Sequence, residues 1–145
     1  MATVKQPVGA RTALTFAALP TLASATYGTS STKDNTANQP VDLLVELSIT
    51  PGAVAGNKQA VLYALASLDG TNFQTGANST DSGDMTFIGV LPLATASSKQ
   101  TKLFSVAMAY GGVLPPYMQF VVLNDSGAAF TAGTIYTSEI NPTVA

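Results

Sequence analysis

Val41-Asp42-Leu43-Leu44-Val45-Glu46-Leu47-Ser48-Ile49 is the stretch on which the fold turns. Val41, Leu43, Val45, Leu47 and Ile49 occupy alternate positions, so in an extended chain they share one face while Asp42, Glu46 and Ser48 point to the other. One apolar face and one polar face define a half-buried strand.

Comparable segments recur on either side of it, at 12–16, 61–66, 85–91, 102–108, 118–124 and 134–140, each bounded by Gly, Pro, Asn, Asp or Ser. Asp69-Gly70 and Ser126-Gly127 suit turns that need positive φ, and Pro51-Gly52 and Pro115-Pro116 fix or interrupt the backbone. Many short strands with such separators predict an all-β fold, a β-sandwich or jelly roll of about eight strands. Val54, Val61, Leu62, Leu65 and Leu68 also fit helical spacing, but Gly56-Asn57 interrupts that pattern and a strand is expected there. Phe16, Phe87, Phe104 and Phe120 fall within the predicted strands and are expected in the core. Segments 28–40 and 75–84 read as polar surface loops. Residues 1–11 show no period and are expected to form a flexible, extended arm ahead of a single domain at 12–145.

The chain has 145 residues, enough to bury a core without a disulfide or metal staple. Cys, His and Trp are absent, so thiolate and imidazole chemistry has no residue to act through. Charged residues make up 10% of the chain, against roughly 25% in a typical domain, so Ser, Thr, Ala, Gly and Asn fill the polar positions. Six Lys and Arg against eight Asp and Glu give a net charge of -2, which argues against a nucleic-acid partner, because such affinity needs several cations neutralising phosphates together. No run approaches the ~20 apolar residues of a membrane-spanning helix. Lys5 and Arg11 ahead of 13–22 and Ala23-Ser24-Ala25 imitate a secretory signal, but Pro20, Thr15 and Thr21 dilute its apolar region.

Each catalytic lookalike has a plainer reading. Asp81-Ser82-Gly83 and Asp125-Ser126-Gly127 match the tripeptide of aspartic proteases, which need two carboxylates sharing a proton in one cleft. The two copies stand too close in sequence for two protease lobes, and a strand ending in a turn accounts for the second. Ser30-Ser31-Thr32-Lys33 satisfies S-x-x-K without the companion motifs of that chemistry. The glycines of 52–58 miss phosphate-loop spacing. Asp69, Asn72, Asp81 and Asp84 could gather oxygens for Ca²⁺, but their order matches no EF-hand loop and turns favour the same residues. No cofactor, metal or catalytic residue is therefore expected. The candidate contacts are instead the arm, through Val4, Lys5, Pro7, Val8 and Arg11, and the connection at 110–117, where Tyr110 and Tyr117 flank Leu114, Pro115 and Pro116.

Several phrases together carry a resemblance: Ala66-Ser67-Leu68-Asp69-Gly70-Thr71-Asn72-Phe73, then Ile88-Gly89-Val90-Leu91, then Gly112-Val113-Leu114-Pro115-Pro116-Tyr117 leading into Val121-Val122-Leu123-Asn124-Asp125-Ser126-Gly127-Ala128. Over about 43–130 the chain resembles small virion proteins of tailed bacteriophages, of the type called capsid decoration or cement proteins. The resemblance implies a β-sandwich or jelly roll, made in the bacterial host cytoplasm, which binds the outer surface of the head and bridges subunits of the major capsid protein, as a homo-oligomer of two or three copies. The stretch before Leu43 matches no family pattern. A tail or connector component and a carbohydrate-binding β-sandwich are the alternatives; the absence of Trp weakens the second.

EDTA is expected to leave the melting temperature unchanged. A fall restored by Ca²⁺ would instead make Asp69, Asp81 and Asp84 ligands and favour the carbohydrate-binding reading.

Overall fold

A computed structural model describes residues 3–76 and 83–144. Its strands are β1 (Val4–Lys5), β2 (Thr12–Ala13), β3 (Tyr27–Thr29), β4 (Lys33–Asp34), β5 (Asp42–Pro51), β6 (Gln59–Ser67), β7 (Thr86–Pro92), β8 (Gln100–Ser105), β9 (Tyr117–Asp125), β10 (Phe130–Ile140) and β11 (Thr143–Val144). Two 3-10 turns, Leu19–Thr21 and Ala107–Tyr110, complete the described elements.

The strands build two packed sheets, one in the order β2-β10-β5-β8 and one in the order β3-β9-β6-β7. β4 pairs with β9 on the edge that β3 also uses, so β3 and β4 are two pieces of one interrupted edge strand. The interruption falls at Ser30, whose hydroxyl accepts the Phe120 N–H at 2.9 Å while the next residue, Ser31, turns away to donate its N–H to Thr15 O.

Every pairing is antiparallel, and the pairs β1–β11, β2–β10, β3/β4–β9, β5–β8 and β6–β7 are nested one inside the next. The chain is thus one long hairpin, rolled up by two further ladders, β5–β10 and β6–β9. That is the jelly roll.

The alternation of β5 places Leu43, Val45, Leu47 and Ile49 at 0% exposure against the second sheet's Ala60, Leu62, Ala64, Met118, Phe120 and Val122. Val41, expected on that face, lies at the rim and is 41% exposed. Phe16, Leu19 and Leu22 close one flank of the core, and Phe16 leaves no room for a side chain at Gly28, where an added Cβ would stand 2.9 Å from the ring.

Several boundaries differ from the sequence expectation, each for a local reason. The strand expected over 12–16 is reduced to Thr12–Ala13, with one further bond from Leu14 N–H to Ile135 O at 3.0 Å, before the chain leaves β10 and brings Phe16 inward. Segment 28–40, expected as a loop, holds part of β3 and all of β4. The strand expected over 102–108 stops at Ser105, where the 3-10 turn begins and the Asp42 carboxylate takes the Ser105 hydroxyl and the Ala107 N–H. Phe87 is not core but 56% exposed: the register shifts between Leu62 and Tyr63, making Ile88 the extra residue and leaving Phe87 opposite Tyr63 on the outer face. The second expected loop is described only at 75–76 and 83–84; Asp81 and Ser82 lie outside the described residues.

The expected arm is paired within its own chain where it is described. Val4 and Lys5 face Val144 and Thr143, Val8 bridges Ile140, and the Gly9 N–H donates to Glu139 O at 2.7 Å.

Phe120→Ala should cost roughly 3–5 kcal/mol in a urea titration, because its ring is fully enclosed between the sheets. Gly89→Ala should cost about 1–3 kcal/mol by overpacking, since the new Cβ would lie 2.5 Å from the Phe104 ring. Losses near zero would remove these positions from the core.

Candidate functional site

The two ends of the sandwich are built differently. At one end, the connections near 22–26, 52–58, 93–99 and 126–129 are tied to one another by backbone hydrogen bonds such as Ala55 N to Ser126 O at 2.8 Å and Phe130 N to Leu22 O at 3.1 Å. Asn124, fully buried, adds a hub: its Nδ2 donates to Leu22 O and Ala128 O, and its Oδ1 accepts from the Ser126 N–H and hydroxyl. Asp125-Ser126-Gly127 is therefore a strand end and turn. Gly127 has φ +86° and would place a Cβ 2.9 Å from the backbone of Ala55, so no other residue fits there without strain.

The other end gathers the sequence-predicted contacts. The connection 35–41 runs between β4 and β5, and Asn35 anchors it to the 111–117 loop: its backbone N–H donates to Pro116 O at 2.8 Å and its Nδ2 to Pro115 O at 3.0 Å. Pro40, Val41, Val113, Leu114, Pro115 and Pro116 form most of an apolar cavity of about 410 Å³ between these segments. Asn35 also lines it, and its Oδ1 is buried with no hydrogen-bond partner. An unsatisfied buried acceptor costs on the order of 1–3 kcal/mol.

The expected anchors take different places around this cavity. Tyr110 and Leu114 pack partly against the core, and the Tyr110 hydroxyl reaches Gln74 Oε1 at 3.4 Å, with burial raising its pKa. Tyr117 opens β9, its ring against the backbone of Gly70, where an added Cβ would be 3.2 Å away. Pro115 and Pro116 are half-buried. The most exposed apolar side chain of the loop is Val113, at 74%, which the sequence reading did not single out. Its signal was available in the two positive-φ glycines ahead of it, Gly111 and Gly112, which lift the chain off the body.

On the far side of 35–41 lies the first described segment of the chain. Gly9, Ala10, Lys33, Asn38, Glu139 and Asn141 line a second, more polar cavity of about 290 Å³. Val4 and Val8 are 64% and 59% exposed, and Lys5 and Pro7 are exposed as well. Arg11 is held on the sheet: its Nη2 lies 2.6 Å from Glu46 Oε1 and its guanidinium 3.3 Å from the centre of the Tyr136 ring. The arm and the 111–117 loop, about a hundred residues apart in sequence, thus border the same connection from two sides.

The other lookalikes are occupied by structural contacts. Lys33 pairs with Glu139 at 2.7 Å, while the Ser30 hydroxyl donates to Ser31 O. The Asp69 carboxylate takes the N–H groups of Thr71 and Asn72, the Asn72 amide and the Ser67 hydroxyl, and these bonds hold its pKa well below the usual carboxylate range. Among the described residues no three acidic side chains gather as a metal site.

Among solved structures, a chain from the infectious bursal disease virus Gx strain shares 14% identity with this one over 98% of this chain and 42% of that chain, at a TM-score of 0.21. A chain from the Gt strain shares 15% over 99% and 40%, at a TM-score of 0.13. This chain spans about two fifths of either, and superpositions that loose carry no argument. No protein-family model and no curated protein matches the chain.

The Lys33–Glu139 pair gives the region a pH dependence. Hydrogen bonds from Lys33, opposed by burial and aided by Asn38 and Asn141, lower the Glu139 pKa from its ordinary 4.5. A carboxylate depressed in the folded state stabilises above its unfolded pKa, and that contribution fades as pH falls through the folded value. Glu139→Gln should lower stability by about 1 kcal/mol at pH 7, with the gap to wild type closing below about pH 4.5 in thermal melts.

Proposed function

We propose that this protein is a structural decoration (cement) protein that binds the outside of a bacteriophage head and bridges subunits of the major capsid protein. The observation that carries the reading is the convergence of the arm and the 111–117 loop on the connection 35–41, at an end rich in exposed valine and half-buried proline. The phrases that resemble phage virion proteins support this choice of partner, and the jelly roll is the fold that the resemblance implies.

The mechanism is added contact area in many copies. A specific contact buries about 1,200–2,000 Å² in total, and copies that each bridge two subunits oppose their separation more strongly than one affinity suggests. Prolines at 115 and 116 reduce the ordering cost of the loop. The unpaired Asn35 oxygen gains a donor if the partner's backbone or side chain opens and enters the cavity. The chemistry calls for no cofactor.

The carbohydrate-binding alternative would draw on the outer row Tyr27, Tyr63 and Phe87. Their rings are tilted by 50° and 73° between neighbours and so present no common flat face to a sugar.

Purified protein mixed with undecorated phage heads should add ordered density to the outer surface. Val113→Glu, at an exposed site, should cut occupancy at least about tenfold with the melting temperature unchanged. Deleting 2–10 should also weaken occupancy while the domain stays folded, because the segment's described residues, 3–10, are all exposed. No added density with wild type would overturn the reading, and binding to tails instead would move the protein to the tail or connector.

A further inference from the structure

The side of the sandwich where β7 and β8 end their sheets is a different surface from the loop end, and its edge is guarded at only a few positions. Among the described residues β7 pairs only with β6, and β8 only with β5, so neither outer edge has a strand beyond it. Soluble proteins guard such edges with charge, proline or a covering segment. Here Lys102 on β8 caps Val90 O and Pro92 ends β7, but beside them Phe87 is 56% exposed, Leu103 62% and Met108 82%, and these three ring one shallow depression with Ile88, Phe104 and Ala109.

From this geometry we infer that the β7–β8 edge is the self-association surface of the protein, and that its occupant is the same edge of a second copy. Three features favour a second copy over another partner. The first is charge. A two-fold contact sets the patch against its own copy, so charge on it would meet like charge nearby, and this patch has no acid among its lining residues. The adjacent cation, Lys102, is spent within the chain: its Nζ donates to Val90 O at 2.9 Å and lies 5.3 Å from the centre of the Phe104 ring. Glu46, opposite Leu103 in register, is matched by Arg11.

The second feature is shape. Leu103 and Met108 project beside the depression that they help to line, so a two-fold axis through the patch sets the knobs of one copy into the hollow of the other.

The third is area. Taking about 200 Å² for each whole side chain, Phe87, Leu103 and Met108 expose roughly 400 Å², half of the ~800 Å² per partner in a stable interface. The free strand edges and the aromatic row running from Phe87 to Tyr63 and Tyr27, at 6.1 and 6.4 Å between ring centres, extend the surface beyond that core.

Sedimentation velocity over about 1–100 µM tests this with the protein alone. Wild type should show a monomer–dimer equilibrium, and Leu103→Glu and Met108→Glu, both at exposed positions, should shift its midpoint upward at least tenfold with unchanged circular dichroism and melting temperature. Val113→Glu, at the loop end, should leave it unmoved, which separates this inference from the shell-binding reading. A wild type that stays monomeric throughout overturns the inference, as does a dimer that survives both edge substitutions. If the monomeric protein instead loses head occupancy on edge substitution, the patch belongs to the shell contact and the second copy is excluded.

Discussion

The ladder between β5 and β10 holds the whole arrangement, because it joins strands that the nested hairpin alone would leave in different parts of the chain. Ten register pairs, from Phe130 opposite Pro51 to Ile140 opposite Asp42, bring residues about ninety positions apart into contact. Closing this ladder turns the apolar face of β5 onto the second sheet, whose own cross-link, β6–β9, presents Ala60, Leu62 and Ala64 beside Phe120 and Val122. Small Ala64 on β6 stands directly opposite the large Phe120 ring on β9. Neither ladder forms cheaply early in folding, since both require long loops to close before contact is rewarded.

The parts of this fold legible in the sequence are those buried on one face. β5 alternates cleanly because one side meets the core and the other carries Glu46 and Ser48. β6 blurs into a helical pattern because both of its faces are covered: Val61 and Leu65 are 6% and 5% exposed on the side opposite Leu62. β3 and β4 escape notice for another reason. They are short edge pieces, and at Gly28 the inward position is empty of side chain because Phe16 fills the space. Phe87 is misjudged because a bulge on β7 reverses the phase of alternation, and no single-residue preference announces a bulge.

For the candidate site the sequence could name segments but not the contacts that join them. Aromatic rings next to a rigid loop point to Tyr110 and Tyr117, yet Tyr110 packs against the core and Tyr117 against Gly70, and the smaller Val113 is the most exposed apolar side chain of the loop. Asn35, which joins the two loops, looked like one more polar residue of a loop, since its role depends on carbonyls eighty positions away. The arm shows the same limit. A two-residue strand has too few positions to display a period, so its pairing with Thr143–Val144 can be seen only in three dimensions.

Nested pairing also decides how the molecule meets mechanical force. A pull between residues 4 and 144 acts on β1–β11, the outermost pair, at right angles to its strands, and peels its contacts one after another. Once that pair opens, the load passes to the Val8–Ile140 bridge and the Gly9–Glu139 bond and then to β2–β10, again a two-residue contact at the edge of its sheet. Tension along the chain is therefore met by the weakest pairs in sequence, while β5–β10 and β6–β9 stay shielded in the interior. Traction spread over the faces of the sandwich strains both long ladders at once, so resistance to deformation depends on where the molecule is gripped.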